Sequence, residues 1–133
     1  MIFADSSFLI AYMIGRDSNH EAAAHLFERF ADRRIVTTNH VRGETWTWLC
    51  SRTWHGKAVA FLDSVGKASS YIEVARLPVE PEDESLRWLR KHDEREYSFV
   101  DATSFAYMRA RGIQEALAFD GDFAAAGFTE LRP

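Results

Sequence analysis

Apolar residues fall into short blocks separated by stretches of helical periodicity, and this alternation sets the order of elements. Ile2-Phe3-Ala4 ends at Asp5, the pattern of a short buried strand. Phe8, Leu9, Tyr12 and Met13 then recur at helical spacing, with Ser6 or Ser7 as the expected cap. Ser18-x-x-Glu21 has capping-box spacing and predicts a second helix with Ala23, Leu26, Phe27 and Phe30 turned inward. Ile35 to Thr38 reads as the second strand, and Asn39 as the N-cap of a helix running through Trp54. Lys57 to Ala68 reads as a helix and Tyr71 to Leu77 as a strand. Pro81 and the acids Glu82, Asp83 and Glu84 suit the first turn of a helix reaching about Asp93, where proline is tolerated and the helix dipole favours negative charge. Ser98-x-x-Asp101 predicts the start of another helix, which ends at Gly112. Ala116 to Phe119 reads as a strand ending directly at Asp120, Asp122 to Ala126 as a helical turn ended by Gly127, and Phe128 to Leu131 as an edge strand.

Strands separated by helices imply an α/β fold, a mostly parallel sheet with helices on both faces. No linker, repeat or low-complexity stretch interrupts the pattern, so residues 1–133 are expected to form a single domain. Ligands of such sheets bind beyond the carboxyl ends of the strands. Asp5 and Asp120 are expected there, with Asp101 at a helix start and Glu44 on the helix that Asn39 opens.

Composition narrows the class only slightly. Hydrophobic residues make up 47% and charged residues 27%, an ordinary globular balance. Cys50 is the only cysteine, which precludes an intramolecular disulfide and suits a reducing cytoplasm. The apolar stretch from Ile2 to Ile14 follows no basic segment and is interrupted by Asp5, so a signal peptide is not expected. Nothing approaches the ~20 apolar residues of a membrane span. The net charge of -4 does not advertise a nucleic-acid binder, although divalent cations can neutralise the carboxylates of an acidic nuclease.

The candidate chemistry lies in four acids set within apolar runs. Asp5 stands between Ile-Phe-Ala and Phe8-Leu9-Ile10, and Glu44 between Val41 and Trp46. Asp101 is flanked by Phe99-Val100 and Phe105, and Asp120 follows Ala-Leu-Ala-Phe. Burying an acid is costly unless it is paired, hydrogen-bonded or metal-bound. Converging carboxylates raise one another's pKa, a conflict that a hard divalent cation removes; Mg²⁺ and Mn²⁺ both prefer oxygen ligands. Simpler roles exist for each acid: N-caps for Asp5 and Asp101, an ion pair with Arg42 or Arg52 for Glu44. Neither arginine has the i±3 or i±4 spacing of a local helical pair. A haloacid-dehalogenase-like phosphatase would need a second acid two residues after Asp5, where Ser7 stands.

Taken together, Ala4-Asp5-Ser6-Ser7-Phe8-Leu9-Ile10, Gly43-Glu44, Ser98-Phe99-Val100-Asp101-Ala102 and Phe119-Asp120-Gly121-Asp122-Phe123 resemble the ordered acidic motifs of PIN domains. Within that superfamily the chain is similar to VapC, the toxin of type II toxin–antitoxin systems. The resemblance implies a three-layer α/β/α sandwich and Mg²⁺- or Mn²⁺-dependent endonucleolytic cleavage of RNA. It further implies catalytic, metal-binding roles for Asp5, Glu44, Asp101 and Asp120, with Asp122 as an accessory ligand, a homodimer, and a VapB-type antitoxin. Ser6 and Ser98 match positions of polar supporting groups and are candidate substrate contacts. Family members often carry a hydroxyl residue two before the fourth acid; Ala118 stands there. The alternative is a PIN-like module that binds RNA or assembles without cutting. Such modules usually lose acids, and all four are present.

Trp46, next to the acids in sequence, is the candidate for stacking on an RNA base. Arg42, Arg52 and Lys57 are candidate phosphate contacts, whereas Arg87, Arg90, Lys91 and Arg95 read as a solvated face. Of the five histidines only His20 and His25 are close, and five apart on a helix is poor for one shared face, so all five read as surface or cap residues.

Overall fold

The computed structural model describes residues 1–133. Five strands, β1 (Ile2–Ala4), β2 (Ile35–Thr38), β3 (Ile72–Ala75), β4 (Glu115–Leu117) and β5 (Thr129–Glu130), form one sheet in the order β3-β2-β1-β4-β5. Every pairing is parallel, with Phe3 opposite both Val36 and Ala116. The expected mostly parallel sheet is therefore parallel throughout.

Helices α1 (Ser6–Met13) and α2 (His20–Arg29) connect β1 to β2, and α3 (Asn39–Arg52) and α4 (His55–Ser64) connect β2 to β3. Helices α5 (Val79–Lys91) and α6 (Phe99–Arg111) return the chain to β4, and α7 (Asp122–Ala125) leads to β5. Right-handed crossovers put α1 to α4 on one face and α5 to α7 on the other. Most of the packing agrees: α1 contacts α2 and α3, α3 contacts α4, and α6 contacts α5 and α7, while α3 also meets α6 from the opposite face. This is the three-layer α/β/α sandwich.

Strand β1 is the centre of the sheet and the core. Ile2, Phe3 and Ala4 are wholly buried, which is why an uninterrupted apolar triplet forms this strand. Phe105, Phe123 and Phe128 pack as one aromatic cluster beyond it, with Phe105 and Phe123 edge-to-face at 4.9 Å. From β1 the chain works outward through β2 and β3, then returns to place β4 on the other side of β1. The direction of winding thus reverses between β1 and β4, where a parallel sheet opens a crevice at its carboxyl edge.

Several boundaries differ from the sequence expectation. Ser18 does not cap α2; Asn19 precedes the helix with no side-chain cap, and its N–H donates to Asp17 instead. Thr38, not Asn39, caps α3, because its hydroxyl accepts from Val41 N, while Asn39 Oδ1 accepts from Leu77 N and ties α3 to the end of the third strand's segment. Helix α4 stops at Ser64 rather than Ala68, because Val65 is already extended and Gly66 follows it with a φ of +72°. Strand β4 ends at Leu117, so Asp120 lies three residues further on, in the loop, and not directly at the strand end.

Candidate metal centre

Asp5 is positioned by the central strand and the helix after it. Its backbone N–H donates to Leu117 O, extending the β1–β4 ladder by one bond. Its side chain caps α1: Oδ2 accepts from Ser7 N at 3.2 Å and from Ser7 Oγ at 2.7 Å. The other oxygen, Oδ1, is buried and has no hydrogen-bond partner. Burial pushes the carboxyl up to about 8, helped by the charges of Asp120 and Asp101 and opposed by the two bonds from Ser7.

Asp101 is held by the start of α6 in the expected capping box. Asp101 N donates to Ser98 Oγ and Ser98 N donates to Asp101 Oδ2, each at 2.9 Å. Burial raises this carboxyl to about 6, with Asp122 and Asp120 adding to the shift and the Ser98 bonds opposing it. Asp120 and Asp122 flank Gly121, whose φ of +81° turns the loop tightly enough for both carboxylates to face Asp101. One carboxylate oxygen from each of Asp101, Asp120 and Asp122 lies within 4.8 Å of the others. Asp120 Oδ1 accepts from Asp122 N at 3.1 Å, and its pKa is raised, first by desolvation and then by Asp122.

Glu44 belongs to the same region through Ser6. Ser6 Oγ donates to Glu44 Oε1 at 2.6 Å, so the residue next to Asp5 orients the acid on α3. Helices α3 and α6 pack against each other, which brings Glu44 and Asp101 to the same edge of the sheet.

The structure separates the other sequence candidates. Ser6 and Ser98 sit in the site but are committed to Glu44 and Asp101. Arg42 is remote: its guanidinium lies beside Gly66, on the connection between α4 and β3. Trp46 packs edge-to-face on His55, because two residues along a helix from Glu44 is the opposite side. Trp48, four residues from Glu44, borders the acids instead. It lines one cleft with Ser6, Ser7, Phe119 and Asp120, and a second with Glu44, Thr47 and Arg52. Lys57 donates to Met13 O and Arg52 lies over the Trp48 ring.

Two residues of the site were not legible as such. Ser7 binds Asp5 and also accepts from Phe119 N at 3.0 Å, which supplies a hydroxyl between the two loops although Ala118 has none. Arg95, expected on a solvated face, donates to Asp122 Oδ1 from Nε at 2.9 Å and from Nη2 at 2.7 Å. It is the one basic side chain bonded to an acid of this cluster.

The sequence model of the PIN domain family matches residues 2–129, a span that contains all five acids. The chain belongs to the PIN domain family. This PIN protein is 49% identical over 133 residues, 100% of its length and 99% of the relative's, to the 23S rRNA-specific endonuclease VapC20 of Mycobacterium tuberculosis, from strain CDC 1551 / Oshkosh and equally from strain H37Rv. It is also similar to the crystal structure of M. tuberculosis VapC20, described as a sarcin-ricin loop cleaving toxin. There the TM-score is 0.90 at 47% identity, with 100% of each chain covered. The resemblance to VapC-type PIN domains seen in the acidic motifs is thereby borne out across the full chain.

Proposed function

We propose that the protein is a divalent-metal-dependent endoribonuclease of the VapC toxin type, with 23S ribosomal RNA as its substrate. The observation that carries this reading is the set of three carboxylates within 4.8 Å beside Asp5, whose buried Oδ1 lacks any partner. The donors fit Mg²⁺ or Mn²⁺: all are carboxylate oxygens, and the one basic group bonded to them, Arg95, engages a single oxygen of Asp122. Three neighbouring acids with raised pKa values are an arrangement that a cation relieves.

Asp5, Asp101 and Asp120, with Glu44 completing the set and Asp122 accessory, are the residues that would hold the ion. A bound Mg²⁺ or Mn²⁺ would supply a nucleophilic water and stabilise the leaving oxygen at an RNA phosphodiester. The chain itself fixes the acids. Ser7 orients Asp5, Ser98 orients Asp101, and Ser6 orients Glu44. Trp48 at the junction of the two clefts offers an aromatic face to an unpaired base.

The substrate comes from VapC20, which is named a 23S rRNA-specific endonuclease and, in its crystal structure, a sarcin-ricin loop cleaving toxin; the likeness covers the full length of the chain. The same kinship supports a homodimer, a VapB-type antitoxin as partner, and a cytoplasmic location; no helix is long and apolar enough to cross a membrane. The test is brief expression in a bacterial host followed by mapping of new RNA ends. Growth arrest with a single cut in the sarcin-ricin loop is expected. New ends confined to transfer or messenger RNA would overturn the substrate, and growth without any new ends would leave a binding module.

A further inference from the structure

An acidic cluster repels the polyanion it is meant to cut, and a fixed positive group at the rim adds to what a bound cation offsets. Two of the three basic residues that sequence proximity suggested do not supply it: Arg42 lies beside Gly66, and Lys57 is bonded to Met13 O. Arg52 lines the Glu44 cleft over the Trp48 ring but bonds none of the acids. The group that does stand at the rim is Arg95, on the connection between α5 and α6.

We propose that Arg95 is a substrate-binding residue of this site, a guanidinium that Asp122 holds beside the acids to take an RNA phosphate. This rests on the ribonuclease reading above and adds to it the residue that docks the backbone. Both bonds run from one edge of the guanidinium, Nε and Nη2, to a single oxygen, Asp122 Oδ1. Nη1 donates to no protein group, and the side chain is 42% exposed, which leaves donors of the fork available. The guanidinium also lies over the tight turn between Asp120 and Asp122: a β-carbon at Gly121 would stand 3.7 Å from Nη2. An arginine anchored through Nε and Nη2, with Nη1 unengaged, is preorganised to form charge-assisted bonds with phosphate oxygens. The same two bonds give Asp122 a task apart from metal binding, since one of its oxygens is already taken.

A structural latch between the α5–α6 connection and α7 would make the same two bonds, and salt dependence separates the two roles. The probe is a sarcin-ricin loop RNA hairpin, bound without turnover by the full-length Asp101→Asn protein at fixed Mg²⁺ while monovalent salt is varied. Each phosphate contact contributes roughly 0.7 to 0.9 to the slope of log affinity against log salt. Adding Arg95→Ala is expected to weaken binding about tenfold and to flatten that slope by about one contact. Arg95→Lys should keep the slope and lose only part of the affinity, because the charge remains without the planar fork. Should Arg95→Ala fail to fold, Arg95→Gln keeps the size without the charge and carries the same expectation. Unchanged affinity and slope in the Ala or Gln variant would overturn the role of Arg95 while leaving the ribonuclease reading intact. Failure of the parent protein to bind the hairpin would overturn both.

Discussion

Ser7 Oγ donates to Asp5 Oδ2 at 2.7 Å and, through its acceptor side, takes the N–H of Phe119 at 3.0 Å. One hydroxyl thus ties the acid at the end of the central strand to the loop that carries Asp120 and Asp122. Ser7→Ala leaves Phe119 N without this partner and Asp5 with one donor fewer. The expected cost is roughly 1–3 kcal/mol of stability, and RNA cleavage falls about tenfold or more as Asp5 loses its orientation. Ser7→Thr retains the hydroxyl and should recover most of both. Thermal melts and cleavage rates on the three proteins check this; an Ala variant equal to wild type in both would show that the bridge is idle.

Asp101 has two tasks that a single substitution separates. Asp101→Asn keeps an oxygen able to accept from Ser98 N, so α6 should start where it does now. The lost charge weakens the hold on a cation, and cleavage should drop on the order of 10²–10³-fold. Circular dichroism unchanged from wild type, with that loss of activity, is the expected pair of results. Unfolding would mean that the residue acts chiefly as a cap.

The two C-terminal acids should differ. Asp122 already accepts two bonds from Arg95 on one oxygen, whereas Asp120 Oδ1 accepts only the N–H of Asp122. Asp120→Asn should therefore cost at least as much activity as Asp122→Asn, and high Mn²⁺ should recover part of the loss. Cleavage rate against Mn²⁺ concentration for both variants measures this. Abolished cleavage in Asp122→Asn beside near-normal Asp120→Asn would reverse the assignment.

What could be read from the sequence was local. The apolar triplet before Asp5 and the box from Ser98 to Asp101 each specify their own geometry, and the structure has both. The order of strands and helices followed from alternation of period. The misses depend on contacts between distant segments. Asn39 is drawn off its capping position by Leu77 N, 38 residues away, and Thr38 takes over. Arg95 meets Asp122 across 27 residues and one helix, so no spacing reveals it. Adjacency along the chain favours Trp46; spacing along a helix, with four residues to nearly one turn, selects Trp48 as the neighbour of Glu44.

Metal-free stability should fall as pH rises. The folded pKa of Asp5, about 8, lies above the ordinary value of a free aspartate, and that of Asp101 is about 6. A group shifted upward stabilises the fold fully below its unfolded pKa and loses that contribution as pH rises through the folded value. Between pH 6 and 8 the loss from Asp5 is on the order of 2 kcal/mol, or roughly 5 °C in melting temperature. Asp5→Asn should flatten this decline. Mn²⁺ binds the ionised carboxylates, so the stabilisation it gives should grow over the same interval. Melting curves at pH 6, 7 and 8 with chelator or Mn²⁺ test both signs; a metal-free melting temperature that rises with pH would contradict them.

The most direct measurement is the chemistry of the cut ends. Purified protein is incubated with a 23S rRNA fragment carrying the sarcin-ricin loop, in Mg²⁺ or in excess chelator, with Asp5→Asn as control. Metal-assisted attack by water on the phosphodiester leaves 5′-phosphate and 3′-hydroxyl ends, only with metal and only with Asp5. A 2′,3′-cyclic phosphate, or cleavage that persists in chelator, would mean that the ribose hydroxyl is the nucleophile and that the acids do not form a catalytic metal centre.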